Sequence, residues 1–334
     1  MPRRAPRRAL DGAGHLPLLR LLADGRFHSG EDLAKHLGRS RATVSEALKS
    51  ADELGVDVFS VPGKGYRLAS PVEFLDAARI VQGLGAAASR VRLTLADEAD
   101  STSTRLSALA QQGAPSGTCI AAEWQSAGRG RRGRAWQSAL GASITFSILW
   151  RFERGPGHLA GLSLAVAVAV SRALERHGVK GVGVKWPNDL VAHWKKLAGI
   201  LVETSGDLLG PTAAVVGVGV NFRLGEALLA RIDQPAIDCV SLAAEPPSRN
   251  ALLAELVATL VDDLDRFERE GFGAFRADWL ERHAYAGRRV TVLAPGAEPR
   301  EGDVIDLAED GALVVSLDGT ATRLTAAEIS LRPA

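Results

Sequence analysis

Gly128 to Arg134 packs four arginines and three glycines into seven positions, GRGRRGR. Glycine lets a backbone approach a ligand closely, and guanidinium groups match the oxygens of phosphate and carboxylate. The stretch is therefore a flexible loop suited to holding an anion. Its GxGxxG spacing matches a dinucleotide turn, but no helix follows at once, and its variable positions are arginines where that turn binds through backbone amides. GxxxxGK[ST] is absent, so the loop is no P-loop. Taken alone it leaves alternatives open: a grip on a small-molecule phosphate, a merely solvated basic loop, or a loop that grips RNA.

Four further groups place polar residues where they could do chemistry. Lys185-Trp-Pro-Asn-Asp189 ends the strand-like run VGVKW. Pro187 pushes Trp186 into an extended conformation and excludes helix, so Lys185 and Asp189 flank a stiff turn. An ordinary Asn-Asp turn would use the same residues. Lys196 precedes the apolar strand LAGILVE, inside which Gly199 marks a bulge or a close approach; a solvated lysine flank is the plainer alternative. Gly217, Gly219 and Asn221 end a buried strand, where the glycines make room for a ligand or for a tightly packed helix. Asp100-Ser101-Thr102-Ser103 precedes a helix, where hydroxyls cap and equally suit ureido or carboxylate groups.

These groups need elements to hold them, and 334 residues at 46% hydrophobic suffice for two or three domains. Residues 1–14 are a basic tail with the composition of a disordered segment. From 15 to 69 come three helical runs and a hairpin. Ser29 and Ser40 stand at N-cap positions, Gly38 and Gly55 at stops, and VDVFSVPGKGYRL supplies two short strands around Pro62-Gly63-Lys64-Gly65. This is a winged helix-turn-helix pattern. Arg39, Arg41, Lys49, Lys64 and Arg67 favour DNA, Glu46, Asp52 and Glu53 dilute that charge, and a protein-interaction module remains an alternative. Residues 70–284 mix strands and helices without a strict βαβ period, so the expected fold is α+β, a mixed sheet with helices on one face. Residues 285–334 carry short strands around Asp310-Gly311 and Asp318-Gly319 turns, the pattern of a small β-barrel.

Composition narrows the class. The net charge of +1 argues against a general nucleic-acid or membrane binder. Cys119 and Cys239 lie in no CxxC and near no ligand-spaced histidine, so neither a metal site nor a disulfide framework is expected. The N-terminus lacks the apolar core of a secretory signal, and the apolar run Leu159–Val170 is too short to span a bilayer. A cytoplasmic protein without a membrane partner is the expectation.

Together the motifs closely resemble the bacterial bifunctional biotin–protein ligases that double as biotin operon repressors. The resemblance runs from about Leu16 to Arg332 and is most specific at DST 100–102, GRGRRGR 128–134, KWPNDL 185–190, KLAGILVE 196–203 and GVGVN 217–221. It implies an ATP-dependent biotin–[acetyl-CoA-carboxylase] ligase that makes biotinyl-5′-adenylate with Mg²⁺ on the phosphates. Biotin then passes to a lysine of the carboxyl carrier domain. Implied biotin contacts are Ser101, Thr102, Ser103, Gln125, Gly128, Arg129, Gly130, Arg131, Lys196, Gly199 and Gly217. Implied ATP and adenylate contacts are Arg129, Arg132, Lys185, Asn188 and Asn221, with Arg131, Lys196, Lys185 and Asp189 as the catalytic set and no metal held by protein groups alone. The resemblance further implies an SH3-like barrel and an adenylate-bound homodimer that binds operator DNA through Ser40, Arg41, Thr43, Lys49 and Lys64. A ligase with a vestigial DNA-binding domain and a lipoate-type acyl ligase are the alternatives. Two positions depart from the family pattern: Ser103 stands in place of an asparagine, and Cys239 in place of a bulky aromatic over the adenine.

Overall fold

The computed structural model describes residues 15–207, 210–293, 298–325 and 330–333. The expected tail at 1–14 lies outside them. The chain divides into two compact units, Met1–Phe74 with Ala139–Gly141, and Leu75–Ser138 with Ala142–Ala334.

In the first unit, α1 (Leu16–Leu21), α2 (Gly30–Leu37) and α3 (Arg41–Lys49) are followed by a hairpin of β1 (Val58–Val61) and β2 (Gly65–Leu68). The helix ends follow from side-chain chemistry. Ser29 Oγ accepts from the Asp32 amide at 3.0 Å and Ser40 Oγ from the Thr43 amide at 3.1 Å. Gly38 closes α2 in the left-handed conformation, φ 60°. Leu16, Leu19, Leu33, Val44 and Leu48 form the buried stripe. Ser40, Arg41, Thr43, Lys49 and Lys64 all lie exposed.

The second unit opens with α4 (Ala77–Gly83). β3 (Arg92–Ala99), α5 (Thr102–Gln111) and β4 (Thr118–Gln125) form a parallel crossover. β5 (Ser143–Phe152), α6 (Leu162–Arg176), the hairpin of β6 (Gly183–Lys185) and β7 (Asp189–Ala192), β8 (Lys195–Gly206) and β9 (Thr212–Asn221) complete a seven-stranded mixed sheet, ordered β3-β4-β5-β9-β8-β7-β6. Two short helices, α7 (Glu226–Leu229) and α8 (Cys239–Leu242), precede α9 (Arg249–Glu270) and α10 (Gly273–Glu281).

The two-residue period of the strands sorts the sheet into two faces. Phe146, Ile148, Val216, Val218 and Ile200 point into the main core with Val166, Val170, Leu256 and Leu260 of α6 and α9. Leu149, Ala213, Val215 and Ile120 point the other way, onto Leu106 and Ala110 of α5. The long helices thus share one face as expected, and the short α5 covers part of the other. The stretch 156–176 is longer than the run anticipated. By length and composition it could cross a membrane, but 67% of its most apolar 18-residue window is buried here, as befits a core helix.

β10 (Arg289–Leu293), β11 (Arg300–Leu307), β12 (Leu313–Leu317), β13 (Thr320–Leu324) and β14 (Ser330–Pro333) make a five-stranded antiparallel sheet, ordered β13-β12-β11-β10-β14. Its contact with the main sheet is specific. Trp186, 1% exposed in the β6–β7 turn, donates from Nε1 to the Gly311 carbonyl at 3.0 Å.

Candidate active site

Where α5 stops covering its face of the sheet, the outward positions of β8 and β9 turn to glycine. Ala213 and Val215 give way to Gly217 and Gly219, and Gly199 lies opposite Gly219 in the ladder. Beside these glycines lies a cavity of about 950 Å³. The glycines at 217 and 219 are there because something else fills the space: a Cβ on Gly217 would come within 2.5 Å of Ser103 Oγ, and one on Gly219 within 2.6 Å of the Trp136 ring.

One end of the cavity is a recess of hydroxyls. Ser101 caps α5, its Oγ accepting from the Thr104 amide at 3.4 Å. This sets Thr102 and Ser103 at the first turn, both within reach of Ser147 Oγ on β5, at 2.8 and 3.0 Å. Gln125 Oε1 accepts from the Thr102 amide at 2.7 Å, which ties the end of β4 to the same turn. Each of these side chains is buried.

The opposite wall is cationic. The 128–134 loop folds back on itself as a tight hairpin. Gly130 N–H donates to the Arg134 carbonyl and Trp136 N–H to the Gly128 carbonyl, each at 2.8 Å. Arg132 takes a left-handed φ of 57° at its tip. Arg131 turns inward, donating to Asn188 Oδ1 at 3.2 Å. Burial, then the charge of Arg132, push its guanidinium below the ordinary value, with Asp189 opposing. Arg129 donates to Thr104 Oγ1 at 3.2 Å and pairs with Glu203 of β8. Across the cavity Lys196 Nζ lies 2.8 Å from Asp189 Oδ1. Lys185 Nζ stands 5.8 Å from the centre of the Tyr285 ring. Burial, with Asp189 adding to it, pushes the Tyr285 hydroxyl up to about 12. The lining holds seven cationic side chains, Arg129, Arg131, Arg132, Arg134, Lys185, Lys196 and Arg231, against two acids, Asp189 and Asp233. Such a wall attracts polyanions and stabilises charge that builds during reaction.

Fourteen of the residues singled out from the sequence line this one cavity: Ser101, Thr102, Ser103, Gln125, Arg129, Gly130, Arg131, Arg132, Lys185, Asn188, Asp189, Lys196, Gly199 and Gly217. Gly128 and Asn221 stand behind the wall. A Cβ on Gly128 would meet the Trp136 carbonyl at 2.7 Å. Asn221 is buried and donates from Nδ2 to the Lys196 carbonyl at 3.0 Å, which ties the end of β9 to the lysine backbone. Cys239, set by the resemblance in the place of an aromatic over the adenine, is buried in the hydrophobic core and lines no part of the cavity. Trp136, Tyr285 and Arg231 are among the lining residues that escaped the sequence reading. Trp136 lies on the Gly199–Gly219 pair, and Tyr285 sits 100 residues from its neighbour Lys185. Arg231 lies on a segment with no motif of its own. Among the described residues no three of His, Cys, Asp and Glu gather as metal ligands.

A family model described as biotin/lipoate A/B protein ligase matches residues 95–221. Models described as an HTH domain and as a biotin protein ligase C terminal domain match 16–67 and 285–332. The chain is 38% identical over 319 residues to the bifunctional ligase/repressor BirA of Salmonella typhimurium, covering 96% of this chain and 98% of that one. The chain belongs to the biotin protein ligase family. It is 31% identical to a biotin–[acetyl-CoA-carboxylase] ligase of Mycobacterium tuberculosis, over 74% of this chain and 92% of the relative. A solved biotin protein ligase of Aquifex aeolicus in complex with biotin and ATP superposes at TM-score 0.62 with 27% identity, over 73% of this chain and 99% of that structure.

Proposed function

We propose that this chain is an ATP-dependent biotin ligase that also represses transcription of biotin genes. A single cavity joining a recess of buried hydroxyls to a cationic wall carries the reading. The recess suits the ureido head of biotin, with Ser101, Thr102, Ser103 and Gln125 on its donors and acceptors, Gly217 leaving room for Ser103 and Gly199 for Trp136 and Lys196 in the floor. The wall suits the nucleotide, with Arg129, Arg131, Arg132, Lys185 and Asn188 toward the phosphates.

In the first step a carboxylate oxygen of biotin attacks the α-phosphorus of ATP. The α–β phosphoanhydride bond breaks and pyrophosphate leaves with the electron pair. Two anions must meet, so the barrier falls where fixed cations neutralise the forming charge. Lys196 and Arg131 fill that role, Lys196 held in place by Asp189 and, through its backbone, by Asn221. Mg²⁺ arriving with the nucleotide would neutralise phosphate charge, with Asp233 as the lining acid to face it, since Asp189 is paired with Lys196. In the second step the amine of an acceptor lysine on a carboxylase carrier domain attacks the acyl carbon and AMP leaves. Asp189 orients that amine and takes up its proton. The arginine loop shields the acyl-adenylate from water.

The winged helix at 15–69 binds operator DNA through Arg41, Thr43, Lys49 and Lys64, with Ser40 at the helix start, as a homodimer formed when adenylate is bound. The division at 70–284 and 285–334 follows the change from mixed to antiparallel sheet. The buried free thiols Cys119 and Cys239 suit a reducing cytoplasm. Incubation with ATP, biotin and a carrier domain, followed by a streptavidin blot, tests the ligase reading; an unlabelled carrier would sink it. A gel shift on the operator with and without biotin and ATP tests repression, and a mobility unchanged by either ligand would leave the DNA-binding unit vestigial.

A further inference from the structure

The mouth of the cavity carries a feature to which neither biotin nor the nucleotide has been assigned. β7 and β8 are joined by His193 and Trp194, both in the left-handed region at φ 48° and 63°. Bulky residues seldom sit there, and they persist where the surroundings over-determine the backbone. The turn presents the Trp194 ring, 46% exposed, on the rim of the cavity. The ring is set in place beforehand: the Arg288 guanidinium lies 4.9 Å from its centre, and the Tyr285 ring 5.5 Å away. His193, Lys195 and Arg288 are exposed around it, and none of the three has an ion pair among the described residues.

We infer that Trp194, Lys195 and Arg288 form the docking surface for the protein acceptor, receiving an acidic and partly apolar face of the domain that carries the target lysine. The inference rests on the ligase reading, and its reason lies in the second step. A lysine amine can reach the acyl carbon only if the domain bearing it presses on the cavity rim. An exposed tryptophan held rigid by tyrosine and arginine has the make-up of an interface hot spot. The unpaired cations beside it select an acidic partner surface and speed the encounter. Trp194 lies two residues from Lys196, so a domain seated on the ring delivers its lysine beside the Lys196–Asp189 pair.

Three assays on the full chain separate docking from chemistry: ATP–pyrophosphate exchange with biotin, acyl transfer to hydroxylamine as a small nucleophile, and transfer to a carrier domain. In Trp194→Ala the KM for the carrier rises tenfold or more, and in Arg288→Glu it rises and loses much of its salt dependence. Exchange and hydroxamate formation stay within twofold in both, and Trp194→Phe restores most of the carrier KM. A carrier KM unchanged in both variants overturns the inference. An equal fall in exchange also overturns it, because the rim would then serve the nucleotide. Absence of exchange in the unaltered protein would instead remove the ligase reading on which the inference stands.

Discussion

Replacing Gly217 by alanine adds one methyl group at the most crowded point of the recess. The new carbon would sit 2.5 Å from Ser103 Oγ and 3.4 Å from Ser147 Oγ. A carbon and an oxygen cannot stay at the shorter distance, so the Ser103 hydroxyl, the end of a short rotatable side chain, has to move. It must leave the 3.0 Å bond to Ser147. A lost hydrogen bond of this kind costs about 1 kcal/mol, and crowding of a packed wall costs at least about as much again. The expected loss of biotin affinity is about 2 kcal/mol, roughly thirtyfold in Kd. Isothermal titration of biotin measures it, with a thermal melt as control for the fold. The same substitution in a Ser103→Ala background meets no hydroxyl, so its cost there should fall by about 1 kcal/mol or more, a coupling read from the double-mutant cycle. A Kd within twofold of the parent, or the same loss in both backgrounds, would refute the reasoning.

Lys196→Ala and Arg131→Gly should each slow adenylate formation by about tenfold or more, since each removes a fixed cation from the site of charge build-up; pyrophosphate-exchange rates check this. Glu123 and Arg249 form an ion pair at 2% and 1% exposure, 3.0 Å apart. Glu123→Gln leaves the guanidinium buried without its carboxylate and should destabilise the fold by about 3 to 5 kcal/mol, measured by urea denaturation, with part recovered in Glu123→Gln/Arg249→Met. Burial pushes His283 down from 6.5 to about 4. The unfolded chain therefore takes up that proton below pH ~6.5 and the folded chain only below about 4. Stability should fall through this window by about 3 kcal/mol as pH drops. His283→Phe should flatten that part of the profile, and an unchanged slope would show that other groups set it.

Local signals made much of this fold legible. Ser29, Ser40 and Gly38 mark helix ends because capping is a matter of one side chain and its own backbone. The cluster of Ser101, Arg131, Asp189 and Lys196 emerged because each stands in a run whose residue types are unusual for the element around it. Long-range partners left no such trace. Tyr285 meets Lys185 only through the fold, and Trp136 finds its place only once Gly199 and Gly219 lie side by side in a ladder. The second face of the sheet was missed because α5, TSTRLSALAQ, carries only Leu106 and Ala110 into the core, too little to announce a buried helix. Cys239 shows the opposite limit: matching it to a family position said nothing of the core packing that turns it away from the cavity.

The bond from Trp186 to the Gly311 carbonyl sets a clock on the making of this enzyme. The turn between Lys185 and Asp189 takes its anchor from a carbonyl 125 residues further along the chain. At about 5 to 20 residues per second of synthesis, that anchor emerges roughly 6 to 25 seconds after the turn itself. During that interval the sheet can begin to assemble while the indole of Trp186 lacks its acceptor. The turn at Lys185–Asp189 is thus anchored by the small sheet that looks most like an appendage, and it gains that anchor only after Gly311 has been made.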